Sequence, residues 1–169
     1  KTTRLRMLAG LDKPDTGAVE PGHGLKIGYY AQEHETLDVS RSVLENMQRA
    51  APQLADVDAR KVLGSFLFSG DDVNKPAGVL SGGEKTRLAL ASLVVSSANV
   101  LLLDEPTNNL DPASREEILR ALATFTGAVV LVSHDEGAVS ALNPERVLIL
   151  PDGVEDIWND GYLDLITLS

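Results

Sequence analysis

An α/β fold with a parallel sheet is predicted by two unbroken apolar runs and the helical stretch between them. Val100-Leu101-Leu102-Leu103 and Ala128-Val129-Val130-Leu131-Val132 show no alternation, the pattern of strands buried on both faces. Between them Asp111 precedes Pro112, an N-cap followed by a proline at the first helical position, with Glu116 and Glu117 in the early turns. Strand, helix, strand in that order is the repeating unit of a parallel sheet. At 169 residues the chain makes about one domain with a substantial core.

The other elements follow from local pattern. Lys1-Thr2-Thr3 opens an amphipathic helix with Leu5 and Leu8 on its apolar side, closing at Gly10. A turn-rich stretch (Pro14, Gly17, Pro21, Gly22, Gly24) leads to the short β-rich run Ile27-Gly28-Tyr29-Tyr30. Ser42 to Ala50 places Val43, Leu44 and Met47 on one helical face, and Pro52 stops it. Val57 to Phe68 repeats apolar residues at Val62, Leu63, Phe66 and Leu67, with Gly70 close behind. Ser81 is a good N-cap for the helix-forming stretch Glu84 to Ala91. The helix after Asp111 is expected to end at Gly127. A strand from Arg146 to Leu150 runs into the turn Pro151-Asp152-Gly153. Residues 34–94 thus read as a helical insert within an α/β core formed by 1–33 and 95–169.

Chemistry concentrates at strand ends and at one helix start. Asp104 and Glu105 end the first buried strand, where parallel sheets bind ligands. Two carboxylates at the lip of a buried strand are costly unless a cation such as magnesium compensates them. Alone, Asp-Glu-Pro could equally be a solvated acidic turn. About twenty residues upstream, however, Leu80-Ser81-Gly82-Gly83-Glu84-Lys85 builds a helix N-terminus whose free amides suit an anion. Gln32 follows the first short strand, and His134 follows the second apolar strand as Ser133-His134-Asp135. Each alone is more often a surface or capping residue; in register with the acids and the glycine loop they read as ligands.

Together these motifs resemble the ATP-binding cassette superfamily over nearly the whole chain. Val100 to Asp104 resembles its Walker B strand, Ser81 to Arg87 its signature motif, Gln32 its Q-loop, His134 its switch histidine, and Lys1-Thr2-Thr3 the end of its Walker A loop. Ser-Gly-Gly-Glu-Lys-Thr-Arg and Pro-Thr-Asn-Asn-Leu-Asp resemble the ABC-F family, soluble twin-cassette proteins that act on ribosomes. Transporter cassettes more often carry Gln-Arg-Gln and Pro-Thr-Ser-Ala-Leu-Asp at these places. The short acidic connection from Gln32 to Leu80 and the ending Trp158-Asn159-Asp160-Gly161-Tyr162 look like a C-terminal cassette. The phosphate loop should read Gly-x-x-x-x-Gly-Lys-Ser/Thr, and only its end is present, so the chain looks like a cassette truncated within Walker A.

The resemblance implies a P-loop ATPase core with a helical signature subdomain, ATP and Mg2+ as ligands, and a role for each motif residue. Lys1 would meet the β- and γ-phosphates, Thr2 the magnesium shell and Thr3 the α-phosphate region. Asp104 and Gln32 would hold the metal, Glu105 would be the general base and His134 would hold the γ-phosphate. Ser81, Gly82 and Gly83 would cap the nucleotide of a second cassette paired head to tail, within the same polypeptide, and the loop Asn108 to Asp111 would cross that interface. Residues 1–169 alone would be inactive. The implied setting is cytoplasmic and ribosomal, and the competing class is the motor subunit of a membrane transporter.

Composition bounds these partners. The longest apolar runs fall far short of the roughly 20 residues a membrane helix needs. There is no cysteine, so disulfides and thiolate metal sites are excluded. Net charge is −10, and the basic residues gather in no more than pairs such as Arg4/Arg6 and Lys85/Arg87. Nucleic-acid binding normally needs a basic face, so any ribosomal RNA contact is expected mainly on other parts of the full protein.

Overall fold

The computed structural model describes residues 1–31 and 36–167. Helix α1 (Thr2–Leu8) is followed by β1 (Ile27–Tyr30), α2 (Val43–Ala50), α3 (Asp56–Ser65) and α4 (Gly82–Val95). Then come β2 (Val100–Asp104), α5 (Pro112–Ala123), β3 (Ala128–Val132), α6 (Glu136–Leu142), β4 (Arg146–Ile149), β5 (Val154–Ile157) and α7 (Leu163–Thr167). Strands β1, β2 and β3 form an all-parallel sheet with β2 in the centre. The pair β4–β5 is a separate antiparallel hairpin.

The central strand is buried on both faces: Leu101, Leu102 and Leu103 are no more than 2% exposed. Because side chains alternate across a strand, Leu101 and Leu103 join Tyr30 in the main apolar cluster with α4, while Leu102 and Asp104 face the other way. Helix α1 lies against β2 and buries Leu5. Helix α4 is the hub, packing on α2, α3, α5 and β1. Its Leu88, Ala89, Leu90 and Ala91 meet Met47, Leu63, Phe66 and Ile118 in the same cluster.

Four expectations need correction. Helix α5 ends at Ala123, with Thr124 as its C-cap, rather than at Gly127. Leu8 is 42% exposed, because α1 offers the sheet little more than the single position Leu5. The helix expected over Val57–Phe68 ends at Ser65, where Leu67 takes φ +64° and lets Phe66 and Phe68 both turn inward. Val57 faces solvent. Among the described residues the apolar strand β3 pairs with β2 alone, and Val130 is 39% exposed, so its composition suits more burial than an edge strand receives.

Candidate functional site

The two acids sit where the sheet stops. Asp104 is the last residue of β2, opposite Val132 of β3, and is 5% exposed. Its side chain accepts no hydrogen bond from a described residue. The chain then breaks sharply: Glu105 has φ +49°, a left-handed conformation that a non-glycine residue adopts only when its surroundings impose it. Here the Glu105 N–H donates to the Val132 carbonyl at 2.8 Å, and its Oε2 accepts the His134 N–H at 3.2 Å. The two constraints fix the carboxylate against the turn after β3. The His134 Nε2 lies 3.2 Å from Oε1, within ion-pair range, and Oε1 is a buried carboxylate oxygen with no hydrogen-bond donor among the described residues. A buried acceptor in that state is costly in stability and available for chemistry.

Tyr29 stands on the same face as Leu102 and Asp104. Its hydroxyl is buried without a hydrogen-bond partner among the described residues, and burial, then the Asp104 charge, push the phenol up from its ordinary pKa. Nothing in the sequence singled out that hydroxyl beyond its place in a strand.

The glycine loop forms the start of α4 as expected. Ser81 Oγ accepts the Glu84 N–H at 3.2 Å, and Glu84 Oε2 accepts the Ser81 N–H at 2.8 Å. This reciprocal cap holds the Glu84 carboxyl below its ordinary pKa, chiefly through the Ser81 N–H it accepts. The Ser81 hydroxyl and N–H both act on the Glu84 carboxylate, so the cap holds Ser81 in one orientation at the helix start. Gly82 opens onto free space, whereas a Cβ on Gly83 would lie 2.9 Å from the Asn109 carbonyl oxygen. The glycine loop therefore touches the loop that follows the acids.

Lys1 is the N-cap of α1, and Lys1, Thr2 and Thr3 are all exposed. The Lys1 carbonyl accepts the Arg4 and Leu5 N–H groups. Gln32 lies outside the described residues. The structure thus brings Asp104, Glu105 and His134 together at the ends of β2 and β3. It brings Gly83 to Asn109, and starts Lys1–Thr3 on the helix that packs on β2.

A model of the ABC transporter family matches residues 1–108. The chain belongs to the ATP-binding cassette family. Its relatives include proteins of the F branch: ATP-binding cassette sub-family F member 3 of Mus musculus is 42% identical over 137 residues, 80% of this chain and 19% of that protein. The ATP-binding protein YbiT of Escherichia coli O157:H7 is 42% identical over 168 residues, 98% of this chain and 32% of its own length. The energy-dependent translational throttle protein EttA of Mycobacterium tuberculosis is 39% identical over 139 residues, 80% of this chain and 25% of EttA. The chain spans between a fifth and a third of these relatives. Among solved structures, the ATP-binding cassette MJ0796, a dimer bound to ADP and phosphate, superposes with a TM-score of 0.73 at 24% identity, covering 92% of this chain and 79% of that one. The α/β cassette fold is shared.

Within the cassette, the donor set suits magnesium in one respect and limits it in another. The buried Asp104 carboxylate, at the end of the central strand, is a hard oxygen ligand. Among the described residues no three His, Asp or Glu side chains converge on one point. Such an ion would complete its shell with nucleotide oxygens and water. No helix among the described residues is long and apolar enough to cross a membrane.

Sequence reasoning also missed Asp135 and Arg115 of this cassette. Asp135 Oδ1 caps α6 through the Gly137 and Ala138 N–H groups, at 2.9 and 3.3 Å. Its Oδ2 accepts from Thr107 Oγ1 at 3.0 Å and from Arg115 Nη1 at 3.2 Å. Burial alone would push this carboxyl up, but the Thr107 and Arg115 hydrogen bonds outweigh it and hold the pKa below the ordinary value. The cap was legible in an Asp placed just before a helical stretch. The Arg115 pairing joins residues twenty apart and left no local pattern.

Proposed function

We propose that this chain is the ATP-binding and ATP-hydrolysing part of a two-cassette F-branch protein that works on the ribosome in the cytoplasm. The observation that carries the reading is the end of the sheet: Asp104 buried, and Glu105 forced into a left-handed turn with its bare Oε1 3.2 Å from His134 Nε2. Glu105 takes a proton from the attacking water, whose oxygen bonds to the γ-phosphorus as the bond to ADP breaks, giving ADP and inorganic phosphate. His134 holds the γ-phosphate, Lys1 the β- and γ-phosphates, and Thr3 the α-phosphate region. Asp104, Thr2 and Gln32 would hold Mg2+, whose charge would offset that on the phosphate oxygens. Ser81, Gly82 and Gly83 offer helix-start groups to the nucleotide of the second cassette, so hydrolysis needs both halves. A polypeptide of residues 1–169 alone lacks the loop glycines and the facing signature, and should not turn over ATP.

The ribosomal part of the reading is supported by the likeness to EttA, named a translational throttle, and by the Asn-Asn-Leu-Asp segment at 108–111. The charge of −10 assigns most RNA contact to parts of the whole protein outside these residues. Sedimentation tests it. The whole protein carrying Glu105→Gln, trapped with ATP, should pellet with ribosomes and release when ATP is removed. The family description also covers transporters; recovery with membranes and no ATP-dependent ribosome binding would support a transporter motor instead.

A further inference from the structure

Two turns meet at the site, and they are laced together side by side. The turn after β2 carries Glu105, Thr107 and the loop to Asp111; the turn after β3 carries His134 and Asp135. Two laces run through Glu105, from its backbone to Val132 and from its carboxylate to the His134 N–H. The others run through Asp135. Capping α6 uses only one of its oxygens and would be served nearly as well by a neutral asparagine. Its second oxygen binds the buried Thr107 hydroxyl and the Arg115 guanidinium, and Arg115 alone among these partners is charged. Exposed ion pairs generally contribute little, but here the Asp135 side chain is only 16% exposed and shared with Thr107, itself 5% exposed.

The connections continue past Thr107. Its carbonyl accepts the Leu110 N–H at 3.1 Å and so forms the turn that presents Asn109. The Asn109 carbonyl abuts Gly83 at the start of α4. Arg115 sits one helical turn after Asp111, whose carbonyl its N–H reaches at 2.9 Å. An unbroken chain of contacts therefore runs from His134 through Asp135, Thr107 and Asn109 to the glycine loop.

We propose that Thr107, Arg115 and Asp135 form a latch that fixes the loop Asn108–Asp111 to the turn carrying His134, so that gain or loss of the terminal phosphate is passed to the signature face. The proposal rests on the ATPase reading given above. Arg115 and Asp135 are positioning residues: they hold the turn in register and touch no reacting atom.

The test uses the whole protein, with steady-state ATPase measurements and ATP-dependent amide hydrogen exchange in residues 107–111. Arg115→Ala removes the ion pair, leaves the α6 cap intact and lies on a half-exposed helix face, so folding should survive; thermal melting checks this. In Arg115→Ala, kcat should fall about tenfold, as small displacements of positioned groups do, with KM for ATP changed less than about twofold. Arg115→Lys should restore most of the rate, which lost packing alone would not predict. Asp135→Asn should lose a similar factor, and adding Arg115→Ala to it should cost little more. ATP should protect amides 107–111 in the unaltered protein and protect them far less in Arg115→Ala. An unchanged kcat in Arg115→Ala, fully multiplicative losses in the double variant, or equal ATP protection with and without Arg115 would overturn the latch. An unaltered protein that fails to hydrolyse ATP would count against the ATPase reading, and the exchange comparison, which needs binding without turnover, would still decide the latch.

Discussion

Gly82→Ala and Gly83→Ala, made separately, should differ in stability although the two residues are adjacent. Both stand in the first turn of α4, so the backbone gain from replacing glycine, about 0.5–1 kcal/mol, is common to both and cancels in the comparison. At Gly82 a Cβ meets nothing within 4 Å. At Gly83 it would lie 2.9 Å from the Asn109 carbonyl oxygen, where ordinary contact begins at 3.4 Å, so something must move by 3.4 − 2.9 = 0.5 Å. Overpacking of this kind costs about 1–3 kcal/mol. Asn109 is exposed on a turn that can give, which favours the lower part of that range. Gly83→Ala should therefore be about 1–2 kcal/mol less stable than Gly82→Ala, or roughly 2–8 °C lower in Tm for a chain of this size. Denaturant titration of both variants with equal m-values measures the difference directly. Equal stabilities, or a more stable Gly83→Ala, would refute the contact between the glycine loop and the loop after the acids.

Two further effects follow from other features. Tyr30 Oη and Thr86 Oγ1 are buried and hydrogen-bonded at 3.3 Å, tying β1 to α4. Thr86→Val should cost about 1–3 kcal/mol by orphaning the Tyr30 hydroxyl, while adding Tyr30→Phe to it should cost less than the separate effects summed; a double-mutant cycle by denaturation checks the sign. Acid should loosen the same region. Glu45 and Glu84 have lowered folded-state pKa values, chiefly from the Ser42 and Ser81 N–H groups they accept, and Asp135 is lowered by Thr107 and Arg115 against its burial. A depressed carboxylate stabilises fully above its unfolded value, here 4.5 or 3.8, and the gain is lost as pH falls through the folded one. Melting temperature should hold above about pH 5 and drop below it, and a melting temperature constant down to pH 3 would refute these assignments.

Much of the site was legible because its signals are local. Ser81 before its helix and Asp111 before Pro112 are N-caps written in adjacent residues, and both form as read; the matching Ser42 cap, closed by Glu45, was written as locally but not read. The apolar run of β2 required burial on both faces and received it. What the sequence hid depends on distant pairing. The left-handed turn at Glu105 is imposed by Val132 and His134, which are remote in sequence. Arg115 with Asp135, and Gly83 with Asn109, likewise meet only once the sheet is assembled. Strand β5, Val154–Ile157, is exposed throughout and lacks the apolar alternation that would announce it. The early end of α3 is set by Phe66 and Phe68 both finding the core, which helical spacing would forbid.

The central claim, that Glu105 is the base of an ATPase, is tested most directly by single-turnover hydrolysis of bound ATP in the whole protein with and without Glu105→Gln. The substitution keeps the size of the side chain and removes its basic oxygen. ATP should still bind, with hydrolysis slowed by about a hundredfold or more; hydrolysis at the unaltered rate would contradict the account.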